Sequence, residues 1–381
     1  MGSQHALSLV AQAIAIIVAA GLTAVWLYAL RSTYRSIEAA KKARRALGPR
    51  PCNSRVSVII AARNEAHNLE RLLPRLLSTG FHEIIVVDDG STDHTWEVLT
   101  RLSEKDKRVV AIRVEQTPRG WAPKPYALQL GAGRASGDIL LFLDADVEPF
   151  DAERLRCTAA KTQANEIIGL VPLFLCPTRR CAAIEAVVTA TAYGFYGLHR
   201  VMNPGDKLGW MYGCCWAIRR ETYWELGGHR LVAPSYVEDR DFATEAKKRG
   251  IQVLLPDARD TIGVWTYPGL NEFAWLIARL FLDPLRRRDA LGKTVAITAT
   301  LLVTYGPLVL AAAAPAASPP LTAILAAPLA VQAIAYAAGA MIEGYNPLYA
   351  LPGLVYGQLV YPLGLLRALL GKIYWKQRII T

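Results

Sequence analysis

Four short polar clusters in this 381-residue chain have the residue types and spacing to do chemistry. Asp144-Ala145-Asp146 follows the apolar run 139–143, and carboxylates at i and i+2 point the same way if extended geometry continues. Carboxylates crowded like this repel each other unless a cation joins them, and hard oxygen donors suit Mg2+ or Mn2+ carrying a substrate diphosphate. A diphosphate also gives a role to Lys124, a cation in Trp121-Ala122-Pro123-Lys124-Pro125-Tyr126 just before a helical stretch. Arg63-Asn64-Glu65 and Asp88-Asp89-Gly90-Ser91-Thr92-Asp93 each close a β-branched run, and Val237-Glu238-Asp239-Arg240-Asp241 forms the fourth cluster.

Strand-like runs at 56–61, 83–87, 109–114 and 139–143 alternate with helical spacing at 68–77, 92–103 and 126–135. That pattern predicts an α/β unit with a mostly parallel sheet. In such sheets ligands bind beyond the carboxyl ends of the strands, and the first three clusters fall there. No G-x-x-x-x-G-K-[ST] accompanies the run into Asp144. Residues 131–137 approximate a dinucleotide fingerprint, but the third glycine comes one place late and a helix rather than a strand precedes it, so neither nucleotide motif is satisfied. Asp93 and Asp138 read as turn or capping residues, and His67, His82, His94 and His229 lack ligand spacing.

Apolar residues make up 52% of the chain and charged ones 20%, a balance that leans toward partial membrane embedding. The net charge of +11 gathers beside long apolar segments. Arg31, Arg35, Lys41, Lys42, Arg44, Arg45 and Arg50 face only Glu38; Arg286, Arg287, Arg288 and Lys293 form a second group, and Arg367, Lys372, Lys376 and Arg378 a third. This distribution suits cytoplasmic membrane flanks and argues against nucleic acid, whose footprint would follow a groove or helix face. Residues 7–30 carry no charge and read as a transmembrane helix with the N-terminus outside, rather than a cleaved signal peptide. Residues 294–314 and 321–342 read as an out-and-back hairpin, and 347–370 as a re-entrant or interfacial segment with a cytoplasmic C-terminus. The apolar, aromatic stretches 182–201 and 270–285 suit either core or interfacial helices. Six cysteines without a C-x-x-C pair indicate neither a disulfide framework nor a zinc site, and point to a reduced, cytosol-facing setting.

The segments Val58-Ile59-Ile60-Ala61-Ala62-Arg63-Asn64-Glu65, Val86-Val87-Asp88-Asp89-Gly90-Ser91-Thr92-Asp93, Phe142-Leu143-Asp144-Ala145-Asp146-Val147 and Val237-Glu238-Asp239-Arg240-Asp241, in that order, resemble the motifs of family 2 glycosyltransferases with the GT-A fold. The resemblance covers about residues 54–268. It implies that Ala62, Asn64, Glu65 and Asp88, with Asp89, hold the nucleotide base and ribose, and that Asp146, with Asp144, holds the metal on the diphosphate. It also implies an inverting reaction with the general base in the pair Glu238-Asp239, assigned to Asp239. Residues 270–293 lack the Q-x-x-R-W of processive members, and residues 120–131, the N-terminal anchor and the tail resemble bacterial carotenoid- or hopanoid-associated glycosyltransferases.

The resulting expectation is an N-terminal transmembrane helix (1–31), a basic juxtamembrane linker (32–53), a cytoplasmic GT-A catalytic domain (54–268), an interfacial helix region (269–293) and a C-terminal membrane region (294–381) in a bacterial-type plasma membrane. The expected activity is metal-dependent transfer of one sugar from a nucleotide donor, by default UDP-glucose, to a membrane lipid. A processive glycan synthase and a catalytically silent membrane scaffold are the alternatives.

Overall fold

The computed structural model describes residues 2–286, 288–371, 373–375 and 378–380. In chain order the elements are α1 (Gly2–Leu47), β1 (Val56–Ala62), α2 (Ala66–Leu77), β2 (Glu83–Asp88), α3 (Thr95–Lys105), β3 (Val109–Arg113), α4 (Pro123–Arg134), β4 (Ile139–Leu143), β5 (Val147–Pro149), α5 (Ala152–Ala160), β6 (Glu166–Gly169) and β7 (Leu173–Leu175). There follow α6 (Arg179–Thr191), α7 (Leu198–Val201), β8 (Cys215–Arg219), α8 (Arg220–Glu225), α9 (Glu238–Lys248), β9 (Gln252–Leu254), β10 (Ile262–Trp265), α10 (Leu270–Arg286), α11 (Ala290–Ala313), α12 (Pro319–Ile342), α13 (Ala350–Leu369), β11 (Ile373–Trp375) and β12 (Arg378–Ile380). They divide into two compact units, one from Arg35–Leu175 and Leu198–Trp265, the other from the segment up to Tyr34, Cys176–Gly197 and the chain from Thr266 on.

The first unit is the expected α/β domain. Its seven-stranded sheet has the order β3-β2-β1-β4-β8-β6-β9. Strands β3, β2, β1 and β4 are parallel, and β8 runs against both neighbours, β4 and β6. Val58, Ile59 and Ile60 of β1 are fully buried, as a strand covered on both faces requires. Helix α2 offers Leu69, Leu72, Leu73 and Leu76 at helical spacing and buries all four. Helix α4 lies close against β1 because position 131 lacks a side chain: a Cβ there would stand 2.6 Å from Ile59 Cγ2. A three-stranded sheet, β5-β10-β7, completes the unit. The basic stretch expected as a linker is helical as far as Leu47, with Ala40, Ala43 and Leu47 buried at helical spacing.

Among the described residues, Leu9–Leu47, Arg179–Val201, Ala290–Ala316 and Pro319–Ile342 are helices long and apolar enough, by length and composition, to cross a bilayer; the first and second of these run from one unit into the other. Helix α6 belongs to the second unit's core, with Ala183, Ile184, Ala186 and Val187 buried. Small residues allow its helices to approach closely: Gly339 faces the Ala186 carbonyl, and a Cβ at Gly353 would lie 3.1 Å from the Ala183 carbonyl. Residues 350–369 form one helix, about 30 Å long, after a 3-10 turn at Pro347–Tyr349. The cysteine expectation also changes, because Cys176 and Cys181 form a disulfide. The turn at Thr178, whose hydroxyl accepts from the Cys181 N–H to cap α6, brings the two Cα atoms to 5.4 Å; this pairing has no C-x-x-C signature. Arg287, Lys372 and Lys376 of the basic flanks lie outside the described residues.

Filling the gap at position 131 tests the packing of α4 on the sheet. Gly131→Val is expected to destabilise the α/β unit by about 1–3 kcal/mol, read as a lower thermal midpoint of intrinsic fluorescence, whereas Gly133→Ala, where an added Cβ meets nothing, leaves it unchanged or slightly raised.

Candidate active site

The carboxyl ends of β1, β2, β3 and β4 lie along one edge of the sheet, because these strands are parallel and adjacent. Ala62 pairs with Asp88 in register, and the Asp89 N–H donates to the Ala62 carbonyl at 2.8 Å. The Arg63 guanidinium donates to the carbonyls of Asp89 and Gly90 at 2.6 and 2.9 Å, tying the two loops together. Asn64 takes a left-handed conformation, φ 53°, which its short side chain tolerates and exploits. Its N–H donates to Ser91 Oγ and its Oδ1 accepts from the Thr92 N–H. The Glu65 N–H donates to Thr95 Oγ1, and Glu65 Oε2 accepts from the Asn68 amide at 2.6 Å. Asp93 accepts from the Thr95 N–H and hydroxyl, as a turn residue does, whereas Asp138 accepts from the backbone and guanidinium of the distant Arg55.

Asp88 is fully buried at the centre of this edge. Its Oδ1 accepts from the Ser91 N–H at 3.1 Å, while Oδ2 has no hydrogen-bond partner among the described residues and lies 3.7 Å from Arg113 Nε. The Arg113 guanidinium stands 5.3 Å from the Trp96 ring centroid. A buried acceptor oxygen beside a cation and an aromatic face suits a flat, N–H-bearing heterocycle. Neither Arg113 nor Trp96 was expected from the sequence, since each is a lone residue outside any cluster.

The second half of the site is built around a cation. Lys124 Nζ lies 2.8 Å from Asp144 Oδ1 and 2.8 Å from Glu238 Oε1. Lys124 sits inside the first turn of α4 rather than ahead of it, because Pro123 starts the helix with its preset φ and missing N–H. Burial opposes the lysine charge, but the two carboxylates outweigh it and hold the ammonium well above the usual lysine range. Asp144 and Asp146 occupy a turn, with the Val147 N–H donating to the Asp144 carbonyl, so the extended geometry assumed for this pair does not continue. The Asp144 N–H donates to the Cys214 carbonyl at 2.8 Å, which joins this turn to the residues entering β8. On their other side is Asp239: a Cβ on Gly213 would stand 2.6 Å from Asp239 Oδ2. Asp239 is half-buried and its Oδ1 accepts from the Arg240 N–H, whereas Glu238 is buried. Nothing in the spacing of Gly213 and Cys214 marked them in advance.

Burial, then Cys215, Asp144 and Asp146, push the Cys214 thiol well up, so both aspartates act on one point. His229 is a core residue with Nδ1 2.8 Å from the Tyr223 hydroxyl; burial and the Lys124 charge drive it down to about 3, so it is neutral. Among the described residues no three His, Cys, Asp or Glu side chains come together closely enough to hold an ion alone. Mg2+ and Mn2+ sites that share substrate phosphates use one or two protein carboxylates. Asp144 and Asp146 on one turn fit that arrangement.

Residues 57–227 match the sequence profile described as Glycosyl transferase family 2. The chain is 42% identical over 189 residues to a 4,4'-diaponeurosporenoate glycosyltransferase of Staphylococcus haemolyticus, a match covering 48% of this chain and 49% of that protein; the chain thus spans about half the length of that relative. It is 25% identical over 334 residues to an undecaprenyl-phosphate 4-deoxy-4-formamido-L-arabinose transferase of Photorhabdus laumondii, covering 84% of this chain and 90% of that one. Among solved structures, a mannosyltransferase from Pyrobaculum calidifontis in complex with GDP-Man and Mn2+ superposes with a TM-score of 0.55 at 22% identity, over 90% of this chain and 99% of that one.

The thiols give a direct check on the electrostatics. At pH 8 iodoacetamide is expected to leave Cys214 and Cys215 unmodified in the folded chain and to label both after denaturation, as read by peptide mass spectrometry; burial raises both thiols and Asp144 adds to the shift.

Proposed function

Residues 57–227 matching the family 2 glycosyltransferase profile, we propose that this chain transfers one sugar from a nucleotide diphosphate donor to a lipid acceptor with inversion at the anomeric carbon. The observation that carries the reading is the Lys124 ammonium between Asp144 and Glu238, with the Asp239 carboxylate against Gly213 beside them. A cation and a second, separate carboxylate are what a displacement of a diphosphate by an acceptor needs. Ala62, Asn64, Glu65, Asp88 and Asp89 hold the nucleoside, and UDP-glucose is the default donor. Asp144 and Asp146 would hold Mg2+ or Mn2+, which supplies positive charge to the departing diphosphate; the GDP-Man and Mn2+ of the Pyrobaculum structure support such an ion.

Lys124 neutralises the charge that develops on the leaving group. Asp239 takes the proton of an acceptor hydroxyl that attacks the opposite face, an assistance worth roughly 10²- to 10⁴-fold in rate. A lipid acceptor is supported by the named acceptors of both relatives and by the apolar helices, with the domain on the cytoplasmic side of the membrane.

The test is nucleotide release by detergent-solubilised protein with a panel of nucleotide sugars, with and without divalent metal and lipid extract, followed by mass spectrometry of the lipid. One sugar on one lipid is the expected product; a ladder of additions would instead identify a glycan synthase, and no turnover across the panel a scaffold. Asp239→Asn is expected to lower kcat by about 10²-fold or more with donor binding intact. Unchanged turnover would remove the base role, as an acceptor already ionised needs none.

A further inference from the structure

Among the described residues of the α/β unit, Phe150, Trp224 and Trp265 are the large apolar side chains that stand exposed, at 47%, 40% and 40%. Two of them share one face of the small sheet. Along β10, Ile262 and Val264 turn inward and are buried, so Gly263 and Trp265 face the other way. A Cβ at Gly263 would stand 2.7 Å from Phe150 and 2.8 Å from Leu175, so these two side chains close over the glycine. Trp265 pairs in register with Leu175, and Leu173 pairs with Gly263. Leu173 and Leu175 are half-buried, so β7 and β10 give this face an apolar strip, while β5 contributes Glu148, which pairs in register with Gly263.

Cations border the strip. The Arg71 guanidinium lies 5.5 Å from the Trp265 ring centroid, and Arg71 and Arg75 both pair with Glu148, leaving one positive charge in excess. Trp265 Nε1 reaches the same carboxylate at 3.4 Å. An exposed tryptophan with its polar edge engaged, next to arginines and aliphatic side chains, matches the headgroup layer of a bilayer, where amphipathic rings settle and cations meet phosphate.

We infer that the outer face of β5-β10-β7, with Phe150, Leu173, Leu175 and Trp265 bordered by Arg71 and Arg75, is a docking surface for anionic phospholipid headgroups. The inference rests on the reading that the chain is embedded in a membrane. The test places the photo-crosslinker p-benzoylphenylalanine at Phe150, at Trp224 or at Val309 of α11 in the full chain, reconstituted in nanodiscs of phosphatidylethanolamine and phosphatidylglycerol, with Trp265 as a second attachment point on the face. Lipid adducts, read by mass spectrometry, are expected at Val309 and at Phe150, several-fold above Trp224. Yield at Phe150 is expected to fall when phosphatidylcholine replaces phosphatidylglycerol. Adducts at Val309 with none above the Trp224 level at Phe150 and Trp265 would overturn the docking surface alone. Absence at Val309 as well would overturn the membrane reading beneath it. Crosslinks from Phe150 to protein instead of lipid would assign the face to a protein partner.

Discussion

The site depends on one half-buried charge, the ammonium of Lys124. A lysine in the first turn of a helix meets the positive end of the helix dipole and is disfavoured there. Here the adverse end is compensated by carboxylates from two other segments, Asp144 at the exit of β4 and Glu238 at the first residue of α9, each 2.8 Å away. Three pieces of chain distant in sequence are thereby held to one point. Removing one member of such a triad leaves an uncompensated charge, a larger penalty than the net worth of the pair. Burial, with the same ammonium adding to it, keeps His229 neutral, and the imidazole packs among Phe142, Trp216 and Phe242 as an aromatic side chain.

The β1–β2 side of the edge is organised differently, chiefly by neutral hydrogen bonds. Ser91 Oγ accepts the Asn64 N–H, Asn64 Oδ1 the Thr92 N–H and Thr95 Oγ1 the Glu65 N–H, and Arg63 closes the two loops by binding carbonyls rather than carboxylates. That division leaves Asp88 Oδ2 as a buried acceptor near a single cation, Arg113, at 3.7 Å. An acceptor spared from the internal network is available to a ligand at no cost to the loops. Selectivity of this kind comes from a polar group that would be left unsatisfied by the wrong partner.

The strands were legible in the sequence because burial on both faces demands continuous β-branched runs, and β1 to β4 begin where those runs begin and end within a residue of them. The residue types of the site were legible for the same reason, since polar clusters interrupting such runs fall at the sheet edge. What local pattern could not supply was the path between clusters. Helical spacing from residue 126 puts Lys124 just ahead of a helix, but proline at the first helical position is favourable, so the helix starts at Pro123 and Lys124 lies within it. The carboxylates of residues 144 and 146 were read with strand geometry, whereas the chain turns as soon as β4 ends. The Cys176–Cys181 bridge and the Gly213–Asp239 contact depend on turns and tertiary approach and have no spacing signature.

The strand that reverses the sheet explains how the Asp144 turn and Asp239 come to meet one piece of backbone. Parallel strands present only their outgoing ends to a given edge, and each delivers a loop that leads away from it. Because β8 is antiparallel to β4, it brings an incoming end, Gly213 and Cys214, to the edge where Asp144 leaves. The Cys214 carbonyl takes the Asp144 N–H, and Gly213 has no side chain where the Asp239 carboxylate rests. The backbone entering β8 thus touches both the Asp144 turn and the start of α9, and any side chain at position 213 would collide with the Asp239 carboxylate.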